Sequence, residues 1–245
     1  MLSKAQIKYI QSLRHKKIRH TLQVYIIEGE KMVLEYLQAG HAVQQLWATA
    51  SWISEYEHML ANRKIKIHQV NEAELKKISA LTTPNQVLAV VSIPEPSFPT
   101  LNAGVHVALE DIQDPGNMGT IIRTADWFGI HSVLCSENCV DVYNPKVVQA
   151  TMGALLRVKV FYVNLYDVLK RAGLPVYAAV TNGSILERDK LPQEAILVIG
   201  NESRGLSEKI QTVAVKKIAI PRFGKAESLN AAVAAGILMY CFKTR

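Results

Sequence analysis

Apolar positions along this chain fall into two spacings, one helical and one continuous, and the two alternate. Residues 3–13 carry apolar side chains at helical intervals, VYIIEG (24–29) is an apolar run of strand length, and Met32, Val33, Tyr36 and Leu37 share one face of a helix predicted over Glu30 to Ala39. The alternation repeats. QQLWAT (44–49) predicts a strand, SWISEYEHMLANR (51–63) a helix and KIHQV (66–70) a strand. Asn71 followed by Glu74 predicts a helix start with Asn71 as cap and Glu74 reaching back. NQVLAVVSI (85–93) reads as a buried strand that completes an α/β unit over residues 1–93. In IPEPSFPT, Pro94, Pro96 and Pro99 forbid helix and stiffen the chain, so residues 94–103 are read as a linker.

From residue 104 to 245 the same alternation resumes with more continuous apolar strands: VHVALE, SVLC, RVKVFY, VYAAV, AILVIG and KIAI. Such runs, separated by helices, predict a mostly parallel sheet covered on both faces. Ligands of these sheets sit outside the carboxyl ends of the strands, which directs attention to the loops that follow them.

Four loops qualify. Asp114-Pro115-Gly116-Asn117 is a strong turn signal before a helix expected to begin near Asn117, where free backbone N–H groups meet an anion well. Ile121, Ile122, Ala125 and Phe128 form the apolar stripe of that helix, and Arg123 lies off it. In VIGNESRGL, Gly200 ends a strand and Asn201 and Glu202 project from it. In IAIPRFGKAESLNAAVAAG, Ser228 is the expected N-cap of a C-terminal helix whose many small residues permit close packing. VTNGS (180–184) is the fourth. Gly116 and Gly119 lack the GxGxxG spacing and no GxxxxGK[ST] occurs, so a dinucleotide reductase and a phosphate-loop enzyme are poorly supported.

Composition sharpens the choice of partner. The 245 residues carry 28 Lys and Arg against 21 Asp and Glu, a net charge of +7, and up to Ile27 there are six basic residues (Lys4, Lys8, Arg14, Lys16, Lys17, Arg19) and no acid. A cluster of this kind neutralises phosphates in a salt-dependent way, and a solvated helix end is the plain alternative. The cysteines number 3, with no CxxC and no histidine at metal spacing, so neither a disulfide framework nor a metal site is expected. No run approaches the length of a membrane span, and a cytoplasmic protein is expected.

Taken together, N117xxxxxR123, G200NExxG205L and I220PxxG224xxxS228LN230 resemble the three motifs of the SpoU-type RNA ribose methyltransferases of the SPOUT class. The N-terminal stretches EGEKMVLEYLQAG and LTTPNQVLAVV look like the substrate-binding domain of many members, similar to a ribosomal-protein-type RNA-binding fold. The resemblance implies an α/β fold with a deep trefoil knot over 104–245, a homodimer, and S-adenosylmethionine bound within the knot. By motif, Thr181, Gly200, Ile220 and Leu229 would line the cofactor pocket, and Asn117, Arg123, Glu202, Ser228 and Asn230 would surround the ribose and reacting centre. Arg14, Lys16, Lys17 and Arg19 would contact RNA, and neither DNA nor a membrane is expected as a partner.

A guanidinium is effectively never deprotonated, so Arg123 is assigned an electrostatic role: it would hold the phosphate beside the target ribose and favour the developing alkoxide. The expected reaction is methylation of a ribose 2′-hydroxyl in structured RNA, ribosomal RNA before transfer RNA. A non-catalytic RNA-binding or ribosome-assembly factor on the same fold is the alternative. After SLN, many members continue Val-Ser-Val, whereas this chain has Ala231-Ala232-Val233, and Arg222 and Phe223 also depart from the usual loop. These differences bear on the substrate rather than the reaction.

Overall fold

The computed structural model describes residues 2–95, 97, 101, 104–186 and 191–244. The chain forms two units, one of Met1–Glu95 with Asp141–Leu156 and the other of Pro96–Val140 with Arg157–Arg245.

The first unit contains α1 (Lys4–Ser12), α2 (Lys16–Leu22), β1 (Val24–Glu28), α3 (Glu30–Gln38), β2 (Val43–Ala48), α4 (Ala50–Glu55), α5 (Glu57–Leu60), β3 (Lys66–Gln69), α6 (Glu72–Ile78) and β4 (Val87–Ser92). The helix expected over 51–63 is two helices, because Tyr56 leaves helical geometry at φ −108° and ψ 21°. At α6 the expected capping box is present: Asn71 Oδ1 accepts from Glu74 N at 2.9 Å and Glu74 Oε2 from Asn71 N at 3.1 Å. The sheet runs β1-β4-β2-β3, with β4 antiparallel to β1 and β2, and β3 parallel to β2. Strand alternation then sorts two cores. Tyr25, Ile27, Val87, Ala89 and Val91 pack with Met32, Val33, Tyr36 and Leu37 of α3 on one face. Val24, Ile26, Leu88 and Val90 pack with Ile10, Leu13, Leu75 and Ile78 on the other.

The second unit opens with β5 (Val105–Leu109), α7 (Pro115–Trp127) and β6 (Ser132–Cys135). The chain then enters the first unit through residues 141–156, which include α8 (Pro145–Thr151). Tyr143, Val148, Leu155 and Leu156 there join the core around α3. The sequence places this stretch in the second unit, but its apolar side chains are buried in the first. On its return the chain forms β7 (Lys159–Tyr162), α9 (Leu165–Arg171), β8 (Val176–Ile185), β9 (Ala195–Ile199), α10 (Glu208–Gln211), β10 (Lys216–Ala219) and α11 (Ala231–Lys243). No helix among the described residues is long and apolar enough to cross a membrane.

The six strands run in the order β10-β8-β9-β5-β6-β7, and every pairing is parallel, as the continuous apolar runs led us to expect. Ala108, Leu134, Ile196 and Val198 face the core under α9 and α10, and their strand neighbours Val107, Val133 and Leu197 are buried as well. From β5 the chain proceeds outward through β6 and β7, while β9, β8 and β10 lie on its other side. The order therefore reverses between β5 and β9, and the loops leaving these two strand ends flank the crevice where such sheets take ligands. Residues 180–184, expected as a loop, instead belong to the far half of β8.

Candidate active site

Helix α7 begins two residues earlier than the sequence suggests. Asp114, not Asn117, is its N-cap, accepting from Asn117 N through Oδ1 at 2.7 Å, and Pro115 follows in the first turn. Asn117 consequently stands inside the first turn with its carboxamide released from capping. Its Nδ2 donates to Glu202 Oε1 at 2.7 Å, and its Oδ1 accepts from Asn230 Nδ2 at 2.9 Å. Asn230 in turn caps α11, its Oδ1 accepting from Ala232 N at 2.9 Å and Val233 N at 3.3 Å. Ser228, expected as that cap, is exposed two residues upstream.

The chemistry of the three partners dictates this order. A carboxylate only accepts, and the Asn230 oxygen is already committed to the helix, so Asn117 must donate to Glu202 and accept from Asn230. One residue from each of the three loops is thereby joined in a single hydrogen-bonded line.

Glu202 depends on a tight turn. An added Cβ on Gly200 would lie 2.4 Å from the carbonyl carbon of Gly205 and 2.5 Å from Leu206 N, so only glycine lets the strand end approach the far side of the turn. Asn201 and Gly205 exchange backbone hydrogen bonds of 3.1 and 2.9 Å across it. The Asn201 side chain does not project outward: Oδ1 accepts from Ser203 N and Arg204 N at 3.0 and 3.1 Å, and Nδ2 donates to Asp111 O at 2.8 Å. Asp111 was not singled out from the sequence; its place directly after the β5 strand, in the loop that leads to Asn117, was the available signal.

Of the residues expected around a cofactor, Thr181 lies within β8, Gly200 follows β9 and Ile220 follows β10, while Leu229 lies just before α11. Between Lys217↔Ala178 and Ile218↔Ser184 the β10–β8 register shifts, leaving 179–183 bowed out with exposed Thr181 among them. The bow is pressed close, since a Cβ on Gly183 would lie 2.7 Å from the Ile218 carbonyl carbon. Gly200 follows β9, Ile220 follows β10, and residues 221–230, Leu229 included, are exposed throughout. Three neighbouring backbone segments thus meet at one sheet end, and with Ile220 they offer backbone polar groups beside apolar surface, a mixture that suits a nucleoside.

Arg123 stands apart from the Asn117 line. It is exposed on α7, about 9 Å further along the axis and about a third of a turn round. No ion pair or hydrogen bond holds it among the described residues.

In the first unit, the four basic residues expected to meet RNA divide sharply. Arg14, Lys16 and Lys17 are exposed, although Arg14 Nη2 also donates to Ser79 O at 2.8 Å. Arg19 is 1% exposed. Its Nη1 donates to Leu13 O and Arg14 O, each at 2.9 Å, and its Nη2 is ion-paired with buried Asp141. That guanidinium is part of the interior and out of reach of a phosphate.

Comparison with known proteins adds the following. The family model of the SpoU rRNA Methylase family matches residues 104–240, and that of the MRM3-like substrate binding domain matches residues 4–89. The chain is 30% identical over 241 residues to the 23S rRNA (guanosine(2553)-2′-O)-methyltransferase RlmP of Bacillus subtilis, covering 96% of this chain and 94% of that protein. It is 32% identical over 235 residues to the 23S rRNA (uridine(2479)-2′-O)-methyltransferase of Streptomyces viridochromogenes, covering 86% and 82%. Among solved structures, an AdoMet-bound rRNA methyltransferase from Sinorhizobium meliloti superposes with a TM-score of 0.88 at 27% identity, covering 99% of this chain and 95% of that one.

Proposed function

Because this chain belongs to the SpoU rRNA methylase family, we propose that it methylates a ribose 2′-hydroxyl of ribosomal RNA with S-adenosylmethionine as donor. The observation that carries this reading is the line Glu202–Asn117–Asn230, which ties together one residue from each of the three loops expected to converge. Ribosomal RNA is favoured over transfer RNA because similarity to the two 23S rRNA enzymes extends through both units. Those two relatives are named for a guanosine and a uridine, so the sugar hydroxyl, not a single base, is the common target.

S-adenosylmethionine supplies, when bound, a methyl group already activated by its sulfonium. Thr181 within β8, Gly200 after β9, Ile220 after β10 and Leu229 before α11 would hold it. What remains for the protein is to align a weak nucleophile and stabilise the charge it develops. Glu202 Oε1 accepts from Asn117, which fixes the carboxylate and the carboxamide beside the incoming ribose. Arg123, unpaired among the described residues, takes the neighbouring phosphate and stabilises the alkoxide, and the proton leaves through that phosphate or water. Ser228, exposed beside the line, faces the same ribose. Arg222 and Lys225 flank Phe223, which is 98% exposed, on the loop that leads into Asn230; this trio is suited to stack on a base and meet its phosphates.

The reading includes the trefoil knot and a cytoplasmic homodimer. The dimer is supported by an apolar surface on the second unit, where Val233, Ile237 and Tyr240 of α11 and Trp127 of α7 are exposed. Sedimentation of the wild type as a monomer at micromolar concentration would remove the dimer from the proposal.

The test of the reaction is direct. Purified protein, labelled S-adenosylmethionine and total RNA should yield label in one large ribosomal RNA, at a linkage resistant to alkaline cleavage. Retained RNA binding without any labelled product would instead identify a non-catalytic binding protein.

A further inference from the structure

The carboxylate of Glu202 meets Asn117 only while the 201–207 segment holds its shape, and the groups that hold it lie mostly outside the three motifs. Two consecutive residues after β5 clamp its two ends. Asp111 O accepts from Asn201 Nδ2 at 2.8 Å, while Glu110 accepts from Ser207 N and Ser207 Oγ at 2.7 and 2.6 Å. The first clamp depends on the backbone of Asp111, which is left-handed at φ +55°. A residue with a Cβ does not rest there unaided, though aspartate tolerates it when its carboxylate is held locally.

Ser136, the residue after β6, supplies that hold. Its Oγ donates to Asp111 Oδ1 at 2.7 Å and accepts from Asp111 N at 2.9 Å, closing a small ring around the left-handed residue. Ser136 is itself fixed, because its N donates to Leu109 O at 2.9 Å. Only a hydroxyl can both donate to a carboxylate and accept from an amide at one atom, so serine or threonine is the side chain this ring requires.

We propose that Ser136 is a positioning residue for methyl transfer: its hydroxyl locks Asp111, the Asp111 carbonyl fixes Asn201, and the turn so held delivers Glu202 to Asn117. This rests on the reading of the Glu202–Asn117–Asn230 line as the methyl-transfer site, and it adds to that site a side chain that touches neither substrate.

The experiment uses the full chain. Ser136→Ala should lower kcat about tenfold with the KM values for RNA and S-adenosylmethionine unchanged, and Ser136→Thr should restore kcat. In a Glu202→Gln background, Ser136→Ala should cost little more, since both act on one contact. Independently of turnover, the side-chain amide signal of Asn117 in the ¹⁵N-labelled protein should move in Ser136→Ala and stay in Ser136→Thr. If Ser136→Ala melts below the assay temperature, Asp111→Asn, which keeps the acceptor and tolerates the left-handed backbone, should behave as wild type while Asp111→Ala reproduces the loss. Wild-type kcat with an unmoved Asn117 signal in Ser136→Ala, or losses that add fully to those of Glu202→Gln, would overturn the proposal. A wild-type protein that transfers no methyl would defeat the reading of the site instead, with the Asn117 signal still deciding the role of Ser136.

Discussion

Asn230 Nδ2 donates to Asn117 Oδ1 at 2.9 Å, joining residues 113 positions apart in the sequence, while the oxygen of the same Asn230 carboxamide caps α11. One side chain thus serves the helix with one atom and Asn117 with the other. Substitution can separate the two duties. Asn230→Asp keeps a capping oxygen but turns the donor into an acceptor facing the Asn117 carbonyl. Its thermal midpoint should stay near that of the wild type while methyl transfer falls at least tenfold. Asn230→Ala should lose both, with about 0.5–2 kcal/mol of stability removed by loss of the cap. Urea unfolding beside a methyl-transfer assay distinguishes the cases, and full activity in Asn230→Asp would refute the shared role.

Arg123 is exposed and carries its charge without a partner among the described residues, which matches a phosphate ligand better than a scaffold role. Arg123→Lys keeps the charge but loses the planar fork, and methyl transfer should fall by about 10²-fold, the scale seen when one preorganised donor is removed. Thermal stability and RNA affinity should change little. Near-normal turnover by the lysine variant would show that a bidentate cation is not needed.

Phe223 touches almost nothing, so its removal should leave folding intact. If it stacks on a base, Phe223→Ala should weaken RNA binding by about 1–3 kcal/mol, and Phe223→Trp should retain affinity. Equilibrium binding of S-adenosylmethionine, measured by calorimetry, should be the same in all three proteins. A change confined to the donor's affinity would move Phe223 from the RNA to the cofactor side of the loop.

The two neighbouring kinds of cation on α2 should respond in opposite ways. Arg19→Ala removes the buried cation from Asp141, leaving it Tyr143 N and the half-exposed His20, and stability should drop by about 3 kcal/mol. Lys17→Ala should leave the melting curve in place and reduce the slope of log affinity against log salt by about 0.7–0.9, as expected for one lost phosphate contact. Denaturant titration and RNA binding at several salt concentrations measure the pair.

The contrast between Arg19 and Lys17 also marks where the sequence stops being legible. Local signals were dependable: Asn71 and Glu74 form the box that their spacing announces, and apolar runs became strands with the expected parallel order. Three of the four expected loops lie at strand ends because topology dictates where they gather, whereas 180–184 is strand. Atom-level duties were less readable. Asp114 and Asn117 are both competent caps, as are Ser228 and Asn230, and the winner is set by where partners from distant loops arrive. The burial of Arg19 depends on Asp141, 122 residues away, and nothing in KKIRH announces it. The bow in β8 follows from the approach of β10 at Gly183, a contact that no window of sequence contains.

The path of residues 141–156 has a practical outcome for anyone dissecting this molecule. A cut in the proline-rich stretch after residue 93 would look natural, yet the N-terminal fragment would lack the mates of Arg19 and of the α3 core, and the C-terminal fragment would expose Val147, Val148 and Tyr143 to water. Neither half is a self-sufficient cassette. Exchange of the N-terminal module between relatives therefore has to carry a second, remote splice, or the graft arrives with a hole in it.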